Sequence, residues 1–204
     1  MGHSMISTVI QFSLPAWVAE LVAGWRMPLE SAEDRMRLAI GLAKENVKRQ
    51  TGGPFGAAVF ERDSGVLVAV GVNLVVASQC SIAHAEMLAL ALAQANRRTF
   101  DLAAPGIPAH ELVTSAEPCA MCFGALPWSG VARLVCGARS EDVERIGFEE
   151  GPKPVAWVEQ LEARGISVLT DVCRDDAQRL LRRYGEAGGT IYNPGGRRRG
   201  GHLG

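Results

Sequence analysis

Two short stretches hold the residues best suited to chemistry: His84-Ala85-Glu86, and Pro118-Cys119-Ala120-Met121-Cys122. Imidazole nitrogen and thiolate sulfur are donors that zinc prefers. A structural zinc site normally closes with four protein ligands, whereas a catalytic one holds three and leaves the fourth position to water. His84, Cys119 and Cys122 make three, enough for one Zn2+ per chain. Glu86, two residues from the His, is placed to exchange protons with that water. A Cys-x-x-Cys alone is weaker, since redox pairs and zinc knuckles share it. A thioredoxin-like redox role needs no His-x-Glu, and a non-catalytic zinc-stabilised binding module needs a fourth ligand, for which Cys80 is the nearest spare. With both stretches present the chemistry expected is hydrolytic: zinc lowers the pKa of its water, Glu86 shuttles the proton, and an amidine-like carbon loses ammonia.

Both stretches are expected at helix N-termini, whose positive dipole ends favour thiolates and a metal-bound hydroxide. Residues 83–95 are rich in Ala and Leu and predict a helix with His84 and Glu86 in its first turn. Positions two apart lie about 200° apart around a helix, so they share no ligand face. That favours one ligand plus one acid or base over Glu86 as a further ligand. Glu117-Pro118 turns the chain into a second helix near Cys119, with Pro where it costs least. Cys119 and Cys122, three apart, share a face of it.

Around these, Ser31 with Asp34 reads as a capping pair opening a helix that Thr51-Gly52-Gly53-Pro54 ends. Residues 55–60 and 66–76 predict two strands of a hairpin, apolar almost throughout and so buried on both faces. Further strands are expected at 111–115, 131–138 and 166–169, and helices at 140–147, 154–164 and 175–184. This order predicts the α/β class: a three-layer α/β/α sandwich around a mixed five-stranded sheet. Residues 1–30 read as an N-terminal extension packed on the domain, 31–187 as the domain, and 188–204 as a Gly-rich tail carrying Arg197-Arg198-Arg199.

A formal net charge of −1 argues against a protein that grips nucleic acid through its phosphates. Five cysteines, an odd number with no secretion signal ahead of them, suit a reducing cytoplasm. Cys136, within Leu134-Val135-Cys136-Gly137, reads as a small buried hydrophobe. No apolar run reaches the roughly 20 residues of a bilayer span.

From about Ala39 to Tyr192 the chain resembles the cytidine/deoxycytidylate deaminase superfamily, and within it the bacterial guanine deaminases. The resemblance rests on the two metal stretches and on several others: Gly52-Gly53-Pro54-Phe55-Gly56-Ala57, Asn73 upstream of the His, Thr114-Ser115-Ala116-Glu117-Pro118-Cys119, Gly124-Ala125 with Trp128, and Gly147-Phe148-Glu149-Glu150. The chain departs from the common Asp-Pro-Thr before Ala-His-Ala-Glu, reading Cys80-Ser81-Ile82 there. The resemblance implies the cytidine deaminase-like fold, zinc on His84, Cys119 and Cys122, and Glu86 as proton shuttle. It also implies Glu150 as a second catalytic carboxylate, and a free nucleobase, most of all guanine, as substrate beside the catalytic water. Asn73, Ala85, Phe55, Trp128, Phe148, Ser115 and Tyr192 are the substrate-binding residues it implies, and a homodimer the assembly. The alternatives are a tRNA-type adenosine deaminase and a deaminase of another small amino-heterocycle (cytosine, an aminotriazine, a pterin). The lone basic run at Arg197-Arg198-Arg199 and the acidic pair after Phe148 speak against the tRNA reading.

Overall fold

The computed structural model describes residues 8–196; the Arg197-Arg198-Arg199 run lies outside them. Five strands form one sheet in the order β2-β1-β3-β4-β5: β1 Gly56–Glu61, β2 Leu67–Val72, β3 His110–Ala116, β4 Arg133–Ala138 and β5 Ser167–Leu169. β1 runs antiparallel to β2 and β3, while β3, β4 and β5 run parallel, so the sheet is mixed as expected.

The near-continuous apolarity of the strands follows from two covered faces, because successive side chains point to opposite sides. Ala58, Phe60, Val113 and Val135 point to one side, where they meet Met36, Leu38, Ala39 and Leu42 of α2 (Ala32–Lys48). Ala57, Val59, Leu112 and Leu134 point to the other. There they pack against α4 (Ala85–Arg97), α5 (Ala120–Ser129) and α7 (Trp157–Glu162) through Ala89, Leu126 and Leu161. Cys136 is buried in this second layer, as its apolar context predicts. Trp17 and Val18 of α1 (Trp17–Ala23) are buried with the α2 side of the core, and Trp17 Nε1 donates to Thr51 Oγ1 at 3.2 Å.

The caps explain where the helices begin. Ser31 accepts from the Asp34 N–H at 3.0 Å and starts α2. The second hairpin strand ends earlier than the apolar run suggests, at Val72 instead of 76. The Asn73 carboxamide oxygen accepts from Val75 N–H at 3.2 Å, a local turn that breaks the ladder. Val75–Ser78 then forms a single helical turn, α3. Gly71 permits close packing behind it: a Cβ there would lie 2.0 Å from the Ala85 carbonyl oxygen, so β2 and the start of α4 touch backbone to backbone.

α6 (Ser140–Arg145) is tied to α8 (Arg174–Glu186) by Asp142. This buried carboxylate accepts from Arg174 Nε at 2.9 Å, Gln178 Nε2 at 2.8 Å and Arg139 N–H at 3.1 Å. Burial pushes the Asp142 pKa up, but the Arg174 and Gln178 hydrogen bonds outweigh it and hold the carboxyl well below the usual carboxylate range. A depressed folded pKa stabilises the protein above the unfolded value near 4, and that contribution disappears as pH falls through the depressed one. Asp142→Asn is therefore expected to cost about 1–3 kcal/mol at pH 7, with the gap to wild type narrowing below about pH 4. Urea titrations at pH 7 and pH 3 measure it, and a gap independent of pH contradicts it.

Candidate active site

The three candidate donors meet where α4 and α5 begin beyond the sheet. His84 is the N-cap of α4 and Cys119 the N-cap of α5, both extended, and neither side chain caps its own helix. His84 thus stands one step before the helix and not within its first turn, with its ring turned toward the thiols. Its Nδ1 lies 3.6 Å from both Cys119 Sγ and Cys122 Sγ, and the donor atoms of the three residues all fall within 4.8 Å of one another. Zinc bonds of about 2.3 Å to sulfur and 2.0–2.1 Å to nitrogen at a tetrahedral angle put S and N about 3.6 Å apart. The donor set therefore fits one tetrahedral zinc with a position left open. Among the described residues this is the only cluster of His, Cys and acidic ligands so arranged. Cys80 packs beside the α2 side of the core instead.

The metal cluster opens into a cavity of about 340 Å³, within the usual range for small-molecule sites. Phe55, Phe148 and Tyr192 form one wall: Phe148 meets Phe55 edge-on at 5.2 Å and Tyr192 at 4.9 Å between ring centres. Asn73, Glu86 and Glu150 supply polar groups to the same cavity. Gly147 makes this arrangement possible by adopting φ 104°, where only glycine is at ease. The turn sends Phe148 and Glu150 inward, 5% and 8% exposed, and leaves Glu149 solvent-exposed at the cavity edge. Asn193 clamps it, accepting from Glu149 N–H at 3.0 Å and donating to the Gly147 carbonyl at 2.8 Å. The Glu150 carbonyl accepts from Ala120 N–H at 2.8 Å, so the same loop also caps α5.

The ionisable groups here shift one another. Burial raises the Glu86 carboxyl above its usual range, and the Cys119 thiolate adds to this. Glu150 is pushed up to about 8, first by burial and then by the Cys119 charge, with Lys153 opposing. Cys119 is lowered to about 4 by hydrogen bonding from Cys122, against its own burial, with His84 assisting; Cys122 is raised, by its bond to Cys119 and by burial. Burial works against protonating His84, but the Cys119 hydrogen bond and the Glu86 charge outweigh it and raise its pKa. A divalent cation among the three donors displaces their protons and stabilises both carboxylates as anions.

The model of the cytidine and deoxycytidylate deaminase zinc-binding region matches residues 29–138, which include all three donors and Glu86. The chain belongs to this deaminase family. It is 35% identical over 118 residues to the guanine deaminase of Bacillus subtilis, covering 58% of this chain and 71% of that protein. The guanine deaminase of Nitrosomonas europaea is 52% identical; the match covers 90% of this chain and all of that one, with a TM-score of 0.84. A structure determined with 8-azaguanine is 54% identical, covering 88% of this chain and 98% of that one at a TM-score of 0.83. Membership makes the metal zinc and the reaction a hydrolysis of a C–N bond.

In this deaminase the cavity gathers His84, Glu86, Cys119, Asn73, Phe55, Phe148, Glu150 and Tyr192, with Cys122 buried behind it. Three residues implied by resemblance do not line it. Trp128 is 85% exposed; it stands nine positions beyond Cys119, about 13 Å along the α5 axis, too far to form a wall. Ser115 is buried and its hydroxyl accepts from Gly56 N–H at 3.1 Å, fastening β1 beside β3. Ala85 is buried in the α4 side of the core. Reading along the chain also misses Glu117, which lines the cavity, and Lys153 and Ser140 behind it. These three are separated in sequence and follow no periodicity, so only the fold unites them.

Proposed function

We propose that this enzyme hydrolyses guanine to xanthine and ammonia. The observation that carries the proposal is Glu150 held inward beside Asn73 in the cavity that contains Glu86. The guanine edge presents N–H groups that need acceptors, which a carboxylate offers, and Asn73 can pair with a donor and an acceptor together. Crystallised variants of one relative with 8-azaguanine replace an Asn or a Glu, and those two positions are as far apart in sequence as Asn73 and Glu150. Zinc, when bound, supplies a Lewis acid that lowers the pKa of water toward neutrality. The protein's own residues handle the proton. Glu86 takes it from the attacking water and gives it to the ring nitrogen beside C2 as oxygen bonds to C2; it then takes the remaining proton of the new C2 hydroxyl and gives it to the amine, which leaves as ammonia when the C2–N bond breaks. Phe55 and Phe148 present apolar surfaces to the base and exclude water from it.

The catalytic unit is 31–187, with the 188–204 tail bringing Tyr192 over the site. The enzyme acts as a homodimer in the cytoplasm; Trp128 on α5 supplies an apolar anchor for such an interface, and the free cysteines suit a reducing compartment. No helix among the described residues is long and apolar enough to cross a membrane.

The Tyr192 hydroxyl is buried without a hydrogen-bond partner in the described structure, and it faces the substrate cavity. Tyr192→Phe is expected to raise KM for guanine about 3–10-fold, the worth of one neutral hydrogen bond, with Tm unchanged or higher. Steady-state kinetics and a thermal scan together check this, and a lower Tm with unchanged KM contradicts it.

The substrate assignment is tested by ammonia release from guanine, adenine, cytosine, guanosine, cytidine and a tRNA anticodon stem-loop. Guanine is expected to be turned over best. Activity confined to the RNA overturns the assignment.

A further inference from the structure

Lys153 follows Glu150 by three residues and lies outside the cavity lining, yet its side chain is only 9% exposed. Its ammonium nitrogen is 2.6 Å from Ser140 Oγ, 3.1 Å from the Pro118 carbonyl oxygen and 3.3 Å from Glu117 Oε2. An ammonium has three N–H donors, so each has a partner. The remaining side is covered by the Trp157 ring, 4.6 Å away. Such a saturated site needs a compact cation and not merely a space-filling chain.

Ser140 is the link from this cation to the cavity. Its oxygen stands 3.0 Å from Glu117 Oε2 and 3.4 Å from Glu150 Oε2, but a hydroxyl has one proton to give. Glu117 Oε2 already accepts from Ser140 N–H at 3.1 Å and from Lys153. The Lys153 donor occupies a lone pair of the Ser140 oxygen, which turns the hydroxyl proton toward the carboxylates and polarises it. With Glu117 served by two N–H groups, that proton is available to Glu150.

We infer that Lys153 is a positioning residue for this deaminase, fixing the Glu150 carboxylate through Ser140 while its bond to the Pro118 carbonyl steadies the turn that presents Cys119. Glu150 receives an aimed O–H on one oxygen and keeps its other acceptor positions for the base. The inference rests on the guanine reading above.

The test is a double-mutant cycle on zinc-loaded full-length protein with guanine as substrate. Lys153→Met is expected to raise KM about 10-fold or more, with a smaller fall in kcat and zinc still at one per chain. Combined with Glu150→Gln, it is expected to add less than about 2-fold to the loss that Glu150→Gln shows alone, because the two act as one unit. Lys153→Cys alkylated with 2-bromoethylamine in the zinc-loaded state, where the metal shields Cys119 and Cys122, restores an ammonium at nearly the same reach and is expected to recover most of the KM relative to wild type treated identically. If Lys153→Met does not fold, Ser140→Ala, which leaves the ammonium in place, carries the cycle with the same non-additivity at a smaller KM change. Losses that multiply, or activity that falls in step with zinc content, overturn the inference. Wild-type protein that releases no ammonia from guanine overturns the guanine reading and this inference with it.

Discussion

Glu86→Gln is expected to lower guanine turnover about 10²–10⁴-fold while leaving zinc content and Tm near wild type. The amide keeps the shape and hydrogen-bonding length of the carboxylate but cannot take a proton from water and return it. Geometry isolates this one function. His84, at the N-cap, is turned toward the thiols, and Glu86, two residues later, enters the cavity from the first turn of α4. Glu86 is 7% exposed, so bulk water does not readily replace it as a base. Metal analysis beside the kinetics separates lost proton transfer from a lost ion. A variant within tenfold of wild type would remove Glu86 from the chemistry.

Arg35→Met is expected to produce the largest loss of stability and to leave the chemistry alone. Arg35 of α2 and Glu111 of β3 are buried as an ion pair, which Arg133 of β4 joins from its other side. Arg35 also donates to the carbonyls of Leu29 at 2.7 Å, Arg62 at 2.9 Å and Glu30 at 3.2 Å. Its removal leaves Glu111 Oε1 and three backbone acceptors without their donor while Arg133 holds only Oε2, and breaking a buried pair from one side typically costs about 3–5 kcal/mol. At about 2–4 °C per kcal/mol for a chain of this size, Tm should fall by roughly 10 °C. Glu111 stands at the start of β3, whereas Cys119 follows its end, some 16 Å along the strand at about 3.3 Å per residue. Activity per folded molecule at 25 °C should therefore hold. Lost activity with an unmoved Tm would contradict this.

How much of this was legible in the sequence differs from residue to residue, for physical reasons. The donors were legible because zinc demands particular atoms, and a spacing of three on one helix brings two thiols together. The mixed sheet was legible because strands covered on both faces are apolar throughout. Val75 and Val76 extend the apolar run past Val72, but the Asn73 side chain competes for the backbone and ends the strand. Trp128 travels with a family pattern, yet its distance along α5 removes it from the cavity; a resemblance carries residue identity, not reach. Glu149 and Glu150 look equivalent as neighbours, and the positive φ of Gly147 separates them into one exposed and one buried carboxylate. The Lys153–Ser140–Glu117 cluster had no signal, since two loop positions and the first residue of α6 meet only after the sheet and that helix are in place.

The central claim is that one zinc ion, held by His84, Cys119 and Cys122, enables this chain to convert guanine to xanthine. The direct measurement is xanthine formation by metal-stripped protein as zinc is added back in known amounts. The initial rate is expected to rise in proportion to bound zinc and to stop rising at one ion per chain, with Cys119→Ser failing to recover. Full activity before any zinc is added, or a rate that keeps rising to two ions per chain, would contradict the account.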